Sequence, residues 1–299
     1  MENPEPKHTL TRYLYSKPEV YQSLIVSLLE HQPQESLYWA YEVYFSGFEE
    51  DIVDYVRLLY HEIYETQNKK LLTFVDKTAD AWYENKSQHH LLGSLVYTLA
   101  IRPYNLDDFM TKYFNAVCLP REQAAPKRPA ARLIVCMKPE QINPYYTVTH
   151  EKPYKILGIA VKYRIRKYMN ALCSAEETPT EIYANTDTWL YYASNSPIWR
   201  TRIEEYGGNI DHETQTVNFA HATADDKEPE TDFYDEWDYE LDEQTTETKR
   251  YIYGEQPQIN LKEFALRYGV NIIVKTNIKI STISSSTAKP ENTIRYSSL

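Results

Sequence analysis

Glycine is scarce in this chain, with seven in 299 residues, at positions 47, 93, 158, 207, 208, 254 and 269. Loops that cradle a phosphate need glycines where the backbone must approach it closely. Neither G-x-x-x-x-G-K-[ST] nor G-x-G-x-x-G can be written here, and no G-x-S-x-G elbow is present. That argues against a nucleotide-driven motor, a Rossmann dehydrogenase and an α/β-hydrolase. Cysteine is also scarce. Cys118, Cys136 and Cys173 are odd in number and widely spaced. They make neither a disulfide framework nor a zinc spacing, and a reducing compartment is the expectation. No apolar run approaches the ~18 residues of a membrane span. The opening MENPEPKHTL is polar and proline-bearing, so no secretion signal is expected. Basic charge is in deficit, with a formal net charge of −11. Such a balance opposes generic binding to nucleic acid or to anionic membranes, although a local patch can still bind either.

Tyrosine, by contrast, is abundant at 28 residues, in a chain that is 42% hydrophobic. Tyrosine buries a large ring and keeps a polar tip, which suits half-buried helix faces and wet interfaces. The organising stretch is residues 37–64, LYWAYEVYFSGFEEDIVDYVRLLYHEIY, which reads as two helices joined at Ser46-Gly47. Leu37, Tyr41 and Tyr44 recur at helical spacing, and Ile52, Val56, Leu59 and Ile63 form the stripe of the second helix. Glu49, Glu50 and Asp51 occupy its first turn, where the macrodipole favours negative charge. Gly47 suits the left-handed residue that ends the first helix.

Further helices are predicted from Pro18, over 69–83, from Ser87 as N-cap to Ile101, and over 106–117. That makes six in the first 117 or so residues. The fold class expected is mainly α: a multi-helix layer of αα-hairpins with an irregular, partly extended C-terminal part. The parts expected are a helical domain over 1–119 and a proline-rich, basic connector over 120–152. A second helical part over 153–268 and an extended tail over 269–299 complete the chain. Within 153–268, helices are expected over 153–172, 181–192, 197–206 and 261–268.

Two charge blocks stand out. Residues 225–247 carry twelve acids against one base, interleaved with Phe233, Tyr234, Trp237 and Tyr239. Residues 126–168 carry ten bases against two acids. Lys155, Lys162, Arg164, Arg166 and Lys167 are the candidate nucleic-acid contacts, because phosphates take bases without sequence reading. Tyr163 and Tyr168 are candidates to stack on single-stranded bases. The competing expectation is that the acidic aromatic segment docks on this basic helix within the same molecule.

Constellations for catalysis are weak. His61 and Glu65 share a helix face, but a zinc protease needs a second histidine where Glu65 stands. His89-His90 suits a turn, and Asp107-Asp108 an ordinary helix start. No catalytic, cofactor or metal site is expected.

Residues 36–56, SLYWAYEVYFSGFEEDIVDYV, resemble the helical region behind the ATPase module of clamp-loader-like ATPases. The ATPase motifs are missing, so no activity carries over. A wider resemblance joins LYWAYE-x-Y-x-S-G-F-E, SPIWRTRIEEYGG at 196–208 and FYDEWDYELDEQ at 233–244. Together they are similar to helical proteins of unassigned role in large nucleocytoplasmic DNA viruses. That resemblance implies a protein of the host cytoplasm or the virion, with other viral proteins as partners and no catalytic residues to transfer. The resulting expectation is a non-enzymatic structural or interaction protein. The alternative is an accessory of viral replication or transcription that holds nucleic acid on 126–168.

Overall fold

The computed structural model describes residues 8–119, 133–173, 180–183, 186–219, 228–254 and 259–274. Residues 120–132 of the predicted connector, residues 225–227 at the start of the acidic segment and the tail beyond 274 lie outside them.

The described chain is mainly α-helical. Six helices open it: α1 (Lys17–Leu29), α2 (Pro33–Tyr44), α3 (Glu49–Leu59), α4 (Leu72–Glu84), α5 (His90–Ala100) and α6 (Asp107–Phe114). The hairpin of α2 and α3 forms as its pattern predicts. Gly47 sits at φ +93, a conformation that a Cβ opposes. A Cβ there would also lie 2.5 Å from the Cβ of Pro197, so the turn is pressed against another helix. Ile52, Val56, Leu59 and Ile63 are all buried. Leu59→Ala is therefore expected to cost about 3 kcal/mol through lost burial and the cavity left behind. A chemical denaturation curve with an unchanged midpoint would show that this stripe is not core.

Some helix ends differ from expectation. Ser87 does not cap α5; its N–H and hydroxyl both donate to Asn85 Oδ1, at 3.1 and 2.7 Å, and α5 starts three residues later. α6 stops before 117, because Asn115 adopts φ 47 and the chain turns into strand β1 (Ala116–Cys118).

The later elements are α7 (Ile156–Ala160), α8 (Tyr168–Cys173), α9 (Thr186–Ala193), α10 (Pro197–Glu205), β2 (Gly208–Asp211), β3 (Thr216–Phe219), α11 (Pro229–Trp237), α12 (Thr246–Tyr253), α13 (Leu261–Arg267) and β4 (Ile272–Val274). β1 pairs antiparallel with β4, matching Val117 to Ile273, and β2 pairs with β3 as a hairpin. The basic stretch 153–172 is not one helix. Residues 161–167 leave helical geometry because their backbone is bonded elsewhere. The hydroxyl of Tyr38 donates to Ala160 O and that of Tyr15 to Tyr163 O, at 3.1 and 3.0 Å. Ile165 N–H donates to Tyr251 O at 2.9 Å, and Arg166 N–H to Ser23 Oγ at 2.7 Å.

Buried hydrophobic residues among those described form one cluster from Leu10 to Ile272. Three glutamates on α1 and α2 fasten distant segments to it. Glu19 meets Lys167 at 3.4 Å, Glu35 meets Arg166 at 3.0 Å, and Glu42 meets Arg12 at 3.0 Å. Among the described residues, no helix is long and apolar enough to cross a membrane.

Candidate functional site

The five candidate phosphate contacts separate into two sets. Lys155, Lys162 and Arg164 are exposed. Arg166 is committed to a two-pronged pair with Glu35, Nε to Oε1 at 3.1 Å and Nη2 to Oε2 at 3.0 Å. Glu30 adds a carboxylate at 3.5 Å. Lys167 is buried beside Glu19. A buried charge keeps its partner, because separating the two leaves it uncompensated in a poorly solvated interior. Arg166 and Lys167 are therefore fastenings of the fold, and the patch read from sequence shrinks to three exposed bases.

The acidic segment does not neutralise Arg166 and Lys167; glutamates of α1 and α2 do. Its rings are core instead. Phe233, Tyr239 and Leu241 are buried, and Trp199 of α10 lies 5.2 Å edge-on from Tyr239. Arg202 is sandwiched, its guanidinium 4.5 Å from the Trp199 ring and 3.7 Å from that of Trp237. The segment does touch the start of the basic stretch, where Gln244 Nε2 donates to Tyr154 O at 2.6 Å. Docking within the molecule is thus real, but it is driven by ring burial rather than by the two charge blocks.

Lys162 and Tyr163 open onto a cleft of about 530 Å³. α2 supplies Leu37 and Tyr38 to its floor and α5 supplies Tyr97. The stretch after residue 133 supplies Val135, Met137 and Tyr145. The rings of Tyr145, Tyr163 and Tyr38 are held by neighbours. Tyr145 stacks on Tyr41 at 4.9 Å and 27°, and its hydroxyl donates to Gln34 Oε1 at 3.2 Å. Arg12 Nη2 donates to Tyr145 O at 2.8 Å and so fixes the backbone behind the ring. Tyr163 stands edge-on to Tyr38 at 5.2 Å. Met137 approaches α5 over Gly93, where a Cβ would come within 2.7 Å of the Met137 sulfur.

Burial pushes the Tyr145 phenol up to about 12. It also raises Tyr163, with Glu35 adding to the effect, and raises Tyr38 well above the ordinary value. These phenols are neutral hydrogen-bonding groups at physiological pH, and Lys162 is exposed on the cleft wall. The cleft thus offers ring faces, phenol and amide groups, and one cation. This is the chemistry of binding apolar or aromatic groups with a polar or anionic neighbour. Lys162 and Tyr163 were legible as candidates in the sequence. Tyr97 and Tyr145 were not: a tyrosine carries no local mark that separates a cleft wall from a core.

The remaining candidates have local explanations. His61 Nδ1 and Glu65 Oε2 bond to each other at 2.8 Å on an exposed helix face. Burial lowers the pKa of His89, whose Nδ1 lies 3.3 Å from the Tyr146 hydroxyl. Asn105 Oδ1 accepts the N–H of Asp107 at 2.6 Å, which places Asp107 at the start of α6. Among the described residues, no group of three or more His, Cys, Asp and Glu is placed to hold a metal ion. Comparison with known protein families, with curated proteins and with solved structures finds no match to this chain.

Proposed function

We propose that this chain is a non-enzymatic interaction protein, a structural or assembly component of a large DNA virus, and that the tyrosine cleft is its contact surface. The observation that carries the reading is the cleft lining: Tyr38, Tyr97, Tyr145 and Tyr163 around Met137, with Lys162 on the wall. Tyrosine supplies contact area at little conformational cost, and it is enriched where proteins meet. The viral part rests on the resemblance of three segments, and these segments pack on one another. Gly47 abuts Pro197, and Trp199 touches both Trp237 and Tyr239. Other viral proteins are the partners in this reading, met in the host cytoplasm or in the particle.

The test uses infected cells that carry the wild-type chain or Tyr163→Ser with Lys162→Glu. Quantitative proteomics of purified virions and of complexes captured on the chain is then compared between the two. The expected result is a defined viral partner that is lost with the cleft variant, while the variant stays folded. A chain absent from virions and from every viral complex, or a variant that keeps all its partners, overturns the proposal.

One observation favours a second reading, the holding of single-stranded nucleic acid. Lys162 and Tyr163 are adjacent on the cleft wall, and Lys155 and Arg164 are exposed. With Lys155, Lys162 and Arg164 as the phosphate contacts, binding would fall with salt at a log–log slope of about −2 for single strands.

A further inference from the structure

Residues 133–137 run extended along α5, and no strand among the described residues pairs with them. Their backbone is bonded to side chains of the helix and its end. Arg102 Nη2 donates to Leu133 O at 3.1 Å. Val135 N–H donates to Thr98 Oγ1 at 3.0 Å, and that hydroxyl lies 3.3 Å from Val135 O. Met137 N–H donates to Ser94 Oγ at 2.9 Å. The bonded residues recur every second position on the chain and every fourth on the helix. Two residues of strand advance about 6.6 Å and four of helix about 6.0 Å, so the two rows stay in step over this length.

The pleat turns the N–H and C=O of Ile134 and Cys136 to the opposite side. No described residue hydrogen-bonds to them. Leu133 is 70% and Ile134 48% exposed, so the open edge is also apolar. An extended, unpaired, apolar edge is a template for another strand.

We infer that the 133–137 edge takes up an added β-strand of a partner protein, one that is apolar at its centre and acidic at its flanks. Val135 and Met137 line the tyrosine cleft, so this inference rests on the reading of that cleft as a contact surface and specifies its partner. An added strand would bond to Ile134 and Cys136 and direct alternate side chains towards the cleft side. Charge selects the occupant. Exposed Lys138 follows the five apolar residues, and exposed Lys162 lies in the adjoining cleft. A second copy of this chain is disfavoured. Residues 133–138 of a second copy carry no carboxylate to meet Lys138 and Lys162, and like charges brought together destabilise a sheet pair.

The test uses the full chain and three synthetic peptides. One has an alternating valine–threonine core flanked by glutamates, one has the same core flanked by lysines, and one is the glutamate peptide N-methylated at alternate core residues. Fluorescence anisotropy at low salt reads affinity, and hydrogen–deuterium exchange over 133–138 reads the place of binding. The glutamate peptide should bind about tenfold tighter than the lysine peptide. It should also slow exchange over 133–138, and N-methylation on the bonding edge should abolish both effects. Equal affinities, no binding, or unchanged exchange at 133–138 would each overturn strand addition. Concentration-dependent dimerisation that protects the same residues would instead assign the edge to a second copy. Loss of the viral partner in the cleft variant, with a silent edge, would leave the cleft reading standing and remove this one.

Discussion

Raising the pH from about 9 to about 11 is expected to unfold the protein. Tyr15, Tyr38, Tyr41, Tyr64 and Tyr183 are buried, and burial is the largest cause that raises each of their phenol pKa values. Tyr44 is held up to about 12 by the same cause. The folded state keeps these protons, while the unfolded chain releases them near pH 10. Above pH 10 the folded state therefore binds more protons than the unfolded one, and stability falls as pH rises. The stabilisation is fully present below the unfolded value and is lost as pH climbs towards the folded values. Each phenol removes about 1.4 kcal/mol per pH unit in that window, so the first five remove about 7 kcal/mol by pH 11. That is comparable to the whole stability of a typical domain, about 5–15 kcal/mol. Far-ultraviolet circular dichroism and tyrosinate absorbance should change together in one steep step. Native ellipticity persisting while the phenols titrate near pH 10 would show that water reaches the rings.

Glu42→Ala should be the most damaging single change at the ion pairs, costing about 3–5 kcal/mol. The Glu42 side chain is fully buried. Its Oε2 accepts Arg12 Nε at 3.0 Å and its Oε1 accepts the Tyr13 N–H at 3.1 Å. Without it, Arg12 stays buried with no other carboxylate among the described residues in contact, beside a second buried cation. Burial holds Arg202 down to about 10, with Arg12 contributing and Tyr239 and Tyr13 opposing. The double variant Arg12→Met, Glu42→Leu should recover much of the loss, since apolar side chains need no solvation. Urea denaturation of the two single variants and the double gives the coupling directly. A loss below about 1 kcal/mol for Glu42→Ala would mean that solvent screens the pair.

The sequence by itself determined the helical class, the opening helices and the α2–α3 turn. Those features follow from short-range physics: an apolar stripe with a 3.6-residue period, acids in a first turn, and a glycine where φ is positive. It also marked Lys162 and Tyr163. Only the tertiary structure decided the rest, because the deciding partners are far away in the chain. Residues 153–172 have a helical pattern, yet Tyr15, Tyr38, Ser23 and Tyr251 compete for the backbone at 160–166. Residues 115–117 leave the predicted helix to pair with a strand more than 150 positions later. The blocks of opposite charge suggested that they would neutralise each other. Arg166 and Lys167 found Glu35 and Glu19 instead, since an ion pair forms where packing brings the groups together and not where composition balances. Likewise, the hydrogen-bonding side chains Ser94, Thr98 and Arg102 recur every four residues, but that spacing became a track for an extended chain only once residues 133–137 were laid along it.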